Sequence, residues 1–275
     1  MRRFTGKQER VLWSVPLGIL LVSALAYAAI GALALLFPPV LMGAFIAWLL
    51  IDLRHRQTDL FVRSLEEQRA IYSQVEAIIG LNGVLAPKYP FPGTRGWAAS
   101  PDLLREVVAY VLSTPVALAV EASSGTSTLM IAYAMERRGA GHVIALEHDA
   151  IYAERTRALL RTHGLMHRAE VVLAPLVEHR TDQGVFLWYD LGKVVMDTPI
   201  DLLLVAGPPE TTGPLARYPA VPLLRERFAE GARVILDDGA RADERAIAER
   251  WSKEGTGAKI CEYLPLEKGA WSLRF

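Results

Sequence analysis

The sequence predicts an α/β protein: a doubly wound, mostly parallel seven-stranded sheet with an antiparallel edge, preceded by transmembrane helices and an amphipathic helix. Three observations carry this expectation. Residues 11–53 form an almost unbroken apolar run whose first charge is Asp52. From Ser100 onward, short apolar runs alternate with helix-length segments, the pattern of a sheet covered on both faces. The last two runs are joined by the short turn Leu266-Glu267-Lys268-Gly269, which makes them antiparallel neighbours.

The elements follow in chain order. The apolar run is about twice the ~20 residues that span a bilayer. Two helices joined near Gly31, or near Phe37-Pro38-Pro39, account for it; one helix broken at the proline pair is the alternative. A cleaved signal peptide competes, with Arg2, Arg3, Lys7 and Arg10 as its basic start and Ala24-Leu25-Ala26 or Ala26-Tyr27-Ala28 as the cleavage site. The run continues far past those alanines, which favours a retained anchor. Arg54, His55 and Arg56 follow the run, so basic residues flank both ends. A hairpin with both ends inside satisfies the preference of such flanks for the cytoplasmic side. The expected partner is thus the lipid bilayer of the cell membrane, with residues 1–56 as anchor and the remainder cytoplasmic.

Residues 57–100 come next. Phe61, Leu65, Gln68, Tyr72, Val75 and Ile79 are spaced by fours and threes, a coiled-coil-like seam. Thr58 or Asp59 is placed to cap its start and Gly80 to end it. Residues 57–80 either join two copies or dock onto the chain's own globular part. A Pro/Gly-rich linker follows, Ala86–Asp102.

Residues 101–275 hold the alternating pattern. Ser100-Pro101-Asp102 starts a helix through Ser113, with Ser100 as its cap. Strands are expected at Val116–Val120, His142–Glu147, Ala169–Leu173, Asp201–Ala206, Arg233–Asp237, Ala258–Leu264 and Ala270–Phe275. Helices are expected at Thr126–Arg138, Ala150–His163, Ala220–Glu230 and Ala242–Glu254, and Gly184–Asp197 is unassigned. His163, His167 and His179 share no ligand spacing and are expected at the surface.

Composition narrows the function. Lys plus Arg and Asp plus Glu both number 30, so no basic excess exists for nucleic acid. Cys261 is the single cysteine, which removes disulfides and cysteine-rich metal sites.

In a doubly wound sheet, ligands sit beyond the carboxyl ends of the strands, at the switch point after the first strand. That point is Val120-Glu121-Ala122-Ser123-Ser124-Gly125-Thr126-Ser127-Thr128. Gly125 permits a tight turn, Ser123, Ser124 and Thr126 add hydroxyls, and the following helix directs N–H groups at the ligand. Glu121 is expected at the mouth, where it would repel a pyrophosphate and attract a cation. Glu147 ends the second strand, where a carboxylate can accept both hydroxyls of a ribose. The ligand so described is a nucleoside with a cationic tail.

S-adenosylmethionine has that form, and the chain from about Trp97 onward resembles the class I S-adenosylmethionine-dependent methyltransferases of the O-methyltransferase-like group, which are Rossmann-like. The likeness lies in Val120–Thr128, in Val143-Ile144-Ala145-Leu146-Glu147-His148-Asp149, in Asp201–Pro209 and in Val234–Gly239. It implies Glu121 near the methionine amino group, Glu147 at the ribose, His148 beside adenine, and Ala174-Pro175-Leu176 as an adenine wall. Two departures stand out. Ser123 replaces a usual glycine, a change of small cost if its backbone angles are ordinary. Ala206 stands where the family has Asp, a metal ligand in metal-dependent relatives. Asp237 and Asp238 alone make a poor Mg²⁺ site, so no divalent metal is expected.

For a hydroxyl acceptor, Asp238 and Asp237 are the first candidates for the base, then His148. Asp237-Asp238 would equally serve as cap and turn residues. Trp188-Tyr189-Asp190 reads as packing before pocket, and Arg217 as a holder of an anionic acceptor. The leading expectation is a membrane-anchored O-methyltransferase acting on a hydroxylated small-molecule, lipid-linked or cell-envelope substrate. A non-catalytic protein with a degenerate domain is the alternative that Ala206 motivates. An NAD-dependent oxidoreductase is disfavoured by the absence of G-x-G-x-x-G after the first strand.

Overall fold

The computed structural model describes residues 6–94, 96, 98–253 and 257–275. Arg2, Arg3, Trp97 and Glu254, named above, lie outside them. The chain divides into two compact units, Met1–Arg69 and Ala70–Phe275.

In the first unit, helix α1 (Gly6–Ile30) is followed by a 3₁₀ segment (Gly31–Leu36) and then α2 (Phe37–Leu85). The break uses both expected signals. Gly31 takes φ 66°, which only glycine adopts freely, and Pro38 and Pro39 fall in the first turn of α2, where their missing N–H groups are unneeded. Trp13, Leu17, Leu21, Leu25, Leu33, Leu36, Val40 and Trp48 are exposed, so apolar side chains cover the helical surfaces. By length and composition one helix among the described residues, Gly31–Leu85, is long and apolar enough to cross a membrane; Trp13–Ala29 is a shorter apolar stretch.

The separate amphipathic helix expected from Thr58 to Gly80 is instead part of α2. Thr58 does not cap: its hydroxyl donates back to the Arg54 carbonyl at 2.9 Å, inside a continuing helix. In the second unit, the end of α2 docks through Gln74, Ala77, Leu81 and Leu85, all buried. The seam residues Phe61, Leu65, Tyr72, Val75 and Ile79 lie on another face and stay exposed.

The second unit is a seven-stranded sheet of order β3-β2-β1-β6-β7-β9-β8. Its strands are β1 (Leu118–Ala122), β2 (His142–Glu147), β3 (Ala169–Leu173), β6 (Ile200–Val205), β7 (Phe228–Asp237), β8 (Ile260–Leu264) and β9 (Ala270–Arg274). The first five pair in parallel, and β9 runs antiparallel between β7 and β8. Helices α3 (Pro101–Ser113), α4 (Thr126–Arg138), α5 (Ala150–His163), α6 (Ala220–Leu224) and α7 (Ala242–Lys253) complete the two faces. One apolar cluster joins the end of α2 with α3, α4 and α5; the other lies on the opposite face with α6 and α7. This is the expected fold class.

Four local expectations are corrected. β1 starts and ends two residues later than read, which draws Glu121 and Ala122 into the strand. α6 stops at Leu224, because Phe228 already pairs with Ile200 at the start of a ten-residue β7. The unassigned stretch Gly184–Asp197 opens with β5 (Gly184–Tyr189), which pairs antiparallel with β4 (Leu176–Thr181) just before it as a separate two-stranded sheet. His163 is buried, its Nδ1 2.7 Å from the Tyr133 hydroxyl, whereas His167 stays exposed against Glu136.

Candidate active site

The carboxyl ends of β2, β1, β6 and β7 lie side by side, and the loops that leave them carry nearly every residue singled out in the sequence. Glu121 is the exception in role. Strand alternation points it beneath α4, where it is fully buried. Ser127 donates to one carboxylate oxygen and Thr128 to the other, the latter at 2.6 Å. The Thr128 hydroxyl also accepts the Gly125 N–H at 3.0 Å. Glu121 therefore braces the turn from below instead of standing at its mouth. Burial pushes its carboxyl up to about 7, against the hydroxyl bonds, with Glu147 and Asp237 adding to the rise.

The turn itself is strained at one position. Gly125 sits at φ 150°, and Ser123 at φ 129°, a region that side chains rarely enter. The backbone angles of Ser123 are thus not ordinary, and the exchange of glycine for serine carries a conformational penalty. The Ser123 N–H donates to the Leu146 carbonyl at 2.9 Å, which ties the turn to β2.

Glu147 meets the turn directly. The Ser124 hydroxyl donates to its Oε2 at 2.8 Å and approaches the Thr156 hydroxyl at 3.0 Å, while the Asp149 N–H donates to Oε1 at 3.1 Å. His148 lies next to it; its Nδ1 is 3.1 Å from Glu147 Oε1 yet misaligned for a hydrogen bond, and has no partner among the described residues. Ala174 is buried against β2, its N–H donating to the Glu147 carbonyl at 2.7 Å, and Leu176 begins β4 just beyond. The fold thus brings Ser124, Glu147, His148, Ala174 and Leu176 to one side of the turn, and Thr126 opens α4.

On the other side stand Ala206, Asp237 and Asp238. The Ala206 N–H donates to the Ala122 carbonyl at 3.1 Å. Asp238 takes φ 57° and accepts the Arg217 Nη2 at 2.7 Å, with Arg241 Nη1 at 3.1 Å. Arg217 is buried and also donates to the Asp237 carbonyl, so its fork is engaged within the protein and is not presented to an anionic acceptor. The Asp237 carboxyl is pushed up to about 6 by burial first and by Asp238 second. No group of three metal-ligating side chains occurs among the described residues.

Residues 122–239 match a family model described as a methyltransferase domain. Among solved structures, the SAH-bound methyltransferase of Podospora anserina is similar, at 12% identity and TM-score 0.50, over 72% of this chain and 87% of its own. An O-methyltransferase of Bacillus cereus in complex with SAH is 17% identical, with TM-score 0.47, over 74% of this chain and 90% of its own. At 12% identity the likeness to the Podospora anserina structure speaks for the fold alone, a Rossmann-like sheet. No curated protein matches the chain in sequence.

Two features of the candidate site were not read from sequence. Ser127 and Thr128 hold Glu121, which the spacing of six and seven residues from strand to helix could have signalled. Tyr189, read as packing, is indeed buried, but its hydroxyl reaches the cleft between β1 and β6.

Proposed function

We propose that this chain is a membrane-anchored, S-adenosylmethionine-dependent O-methyltransferase whose acceptor is a hydroxylated small molecule or lipid-linked, cell-envelope compound. The observation that carries the donor assignment is Glu147: a carboxylate at the end of β2, joined through Ser124 to the turn after β1. A carboxylate so placed accepts ribose hydroxyls. Within the methyltransferase domain, this favours a nucleoside donor over a free methyl source. When bound, S-adenosylmethionine supplies a methyl group on a sulfonium.

The chain's own residues divide the remaining work. Glu147 holds the ribose, and His148, Ala174 and Leu176 flank the adenine. Ser123, Ser124, Gly125 and Thr126 present the close-approaching backbone and the helix N-terminus. Glu121 keeps that turn in shape from below. Asp237 removes the acceptor proton, since a carboxyl near 6 is a better base at neutral pH than an ordinary one. Asp238, paired with two guanidinium groups, positions the loop instead. Ala206 and these pairs speak against a divalent metal at the site.

The apolar, exposed surface of α1 and α2 supports insertion in a bilayer. The basic flanks support a cytoplasmic domain. The exposed seam of α2 supports self-association through residues 57–80.

Transfer of labelled methyl from S-adenosylmethionine to a membrane lipid extract by the full chain tests the function. Incorporation that Asp237→Asn abolishes supports it. Ala206 and the Arg217–Asp238 pair favour a second reading, a domain that binds without transfer; donor binding with no incorporation across hydroxylated acceptors would establish that one.

A further inference from the structure

Tyr189 ends the β4–β5 hairpin opposite Leu176, and none of the roles above uses it. Its ring packs edge-on against Trp188, with centroids 5.3 Å apart, and against His148 at 6.0 Å. Its hydroxyl lies over Gly207: a Cβ at that glycine would collide with it, and would also stand 3.2 Å from the Ala122 carbonyl and 3.3 Å from Ser123 Cβ. These atoms belong to the loops that leave β1 and β6. The phenol oxygen therefore sits in the cleft at the switch point of the sheet, where ligands of such folds bind.

Tyr189 is only 1% exposed, yet no hydrogen bond to its hydroxyl is found among the described residues. The oxygen is not one of the fully buried atoms without a partner, so the little surface that Tyr189 keeps includes it, facing the cleft. The His148 ring against it carries a buried Nδ1 without a hydrogen bond, on the Glu147 side. An unengaged hydroxyl that faces the cleft at the end of β6 is available to a polar ligand group. Burial raises the Tyr189 phenol well above its ordinary 10, so it stays protonated. A neutral phenol can accept from an ammonium and donate to a carboxylate.

The strand order says which part of a ligand would meet it. Glu147 ends β2, and β1 separates β2 from β6. A nucleoside held at Glu147 extends its tail across β1 toward the β1–β6 cleft. At that cleft β6 leads into Ala206, whose side chain offers no polar atom.

We propose that the Tyr189 hydroxyl holds the amino-acid half of the methyl donor, reaching from the hairpin into the cleft beside Ala206. This rests on the donor reading given above. It assigns the hairpin a part in ligand binding and makes Tyr189 a specificity determinant for donors that carry an amino-acid tail.

The test is equilibrium binding to the full chain and to Tyr189→Phe, which keeps the ring and removes only the oxygen. Three probes are used: S-adenosylmethionine, S-adenosylhomocysteine and 5′-methylthioadenosine, which lacks the amino-acid part. Tyr189→Phe is expected to weaken the first two about tenfold and to leave the third within about twofold. Its ligand-free melting temperature should not fall, since the oxygen has no partner to lose. Unchanged or tighter S-adenosylmethionine binding would overturn the proposal, and so would an equal loss for all three probes. Absence of binding to the unsubstituted chain by every probe would instead sink the donor reading, and this proposal with it.

Discussion

The Thr128 hydroxyl donates to Glu121 Oε2 at 2.6 Å while accepting the Gly125 N–H at 3.0 Å, so a buried carboxylate and the backbone of the turn are linked through one side chain. The carboxyl is pushed from 4.5 up to about 7. A raised carboxyl means that the folded state holds a proton the unfolded chain has released. Stability should therefore be greatest at low pH and fall as pH rises from about 4.5 to about 7. Glu121→Gln, which cannot ionise, should flatten that slope in melting temperature measured across the window. An unaltered slope would place the titration elsewhere.

Ser123 at φ 129° predicts a gain from the residue it replaces. Ser123→Gly should stabilise the domain by about 1 kcal/mol, read as a rise in the denaturant midpoint at unchanged slope. A loss would mean that the hydroxyl or its Cβ contributes more than the backbone strain costs.

Gly207 and Tyr189 should be coupled, because a Cβ at Gly207 meets the Tyr189 hydroxyl first. Gly207→Ala should lower the melting temperature, and Tyr189→Phe in the same chain should restore part of the loss. Additive effects of the two changes would show that they do not touch.

Arg217 is buried among Asp238, Glu244 and the Asp237 carbonyl. Arg217→Met leaves Asp238 and Glu244 with the exposed Arg241 as their one remaining guanidinium among the described residues and should destabilise by about 2–4 kcal/mol, measured by chemical denaturation. A cost under about 1 kcal/mol would return Arg217 to the role of a surface holder for anions.

Cys261 is exposed and is the single cysteine of the chain, so it reports on sidedness without substitution. In intact cells an impermeant maleimide should leave it unlabelled, and permeabilisation should expose it. Labelling of intact cells would put the domain outside.

The central strands were legible because burial on both faces leaves unbroken apolar runs such as Val143-Ile144-Ala145-Leu146. The positions of Glu147, Gly125 and Asp237 at the carboxyl end of the sheet were legible because the turn after β1 and the ends of β2 and β7 are fixed by those runs. The hairpin was not. In β4, exposed Glu178 and Arg180 interrupt the apolar residues, and in β5 only Trp188 and Tyr189 are buried. Tyr189 therefore gave a packing signal, and its position over Gly207 depends on a pairing that no local pattern records. Glu121 was misplaced because β1 runs on to Ala122: it is a strand residue on the face beneath α4, not a loop residue at the mouth of the cleft. Arg217 was misread for a similar reason, since its partners lie some twenty residues on, at Asp237 and Asp238. The seam on α2 had the correct period, but a helix carries several faces, and the one that docks is set by Ala77, Leu81 and Leu85.

Calorimetric titration of the full chain with S-adenosylmethionine, and separately with NADH, tests the donor assignment most directly, repeated with Glu147→Ala. Binding of S-adenosylmethionine that weakens at least about tenfold in Glu147→Ala, with no binding of NADH, is the predicted result. A folded chain that binds no S-adenosylmethionine, or binds it equally well without the Glu147 carboxylate, would contradict the site described here.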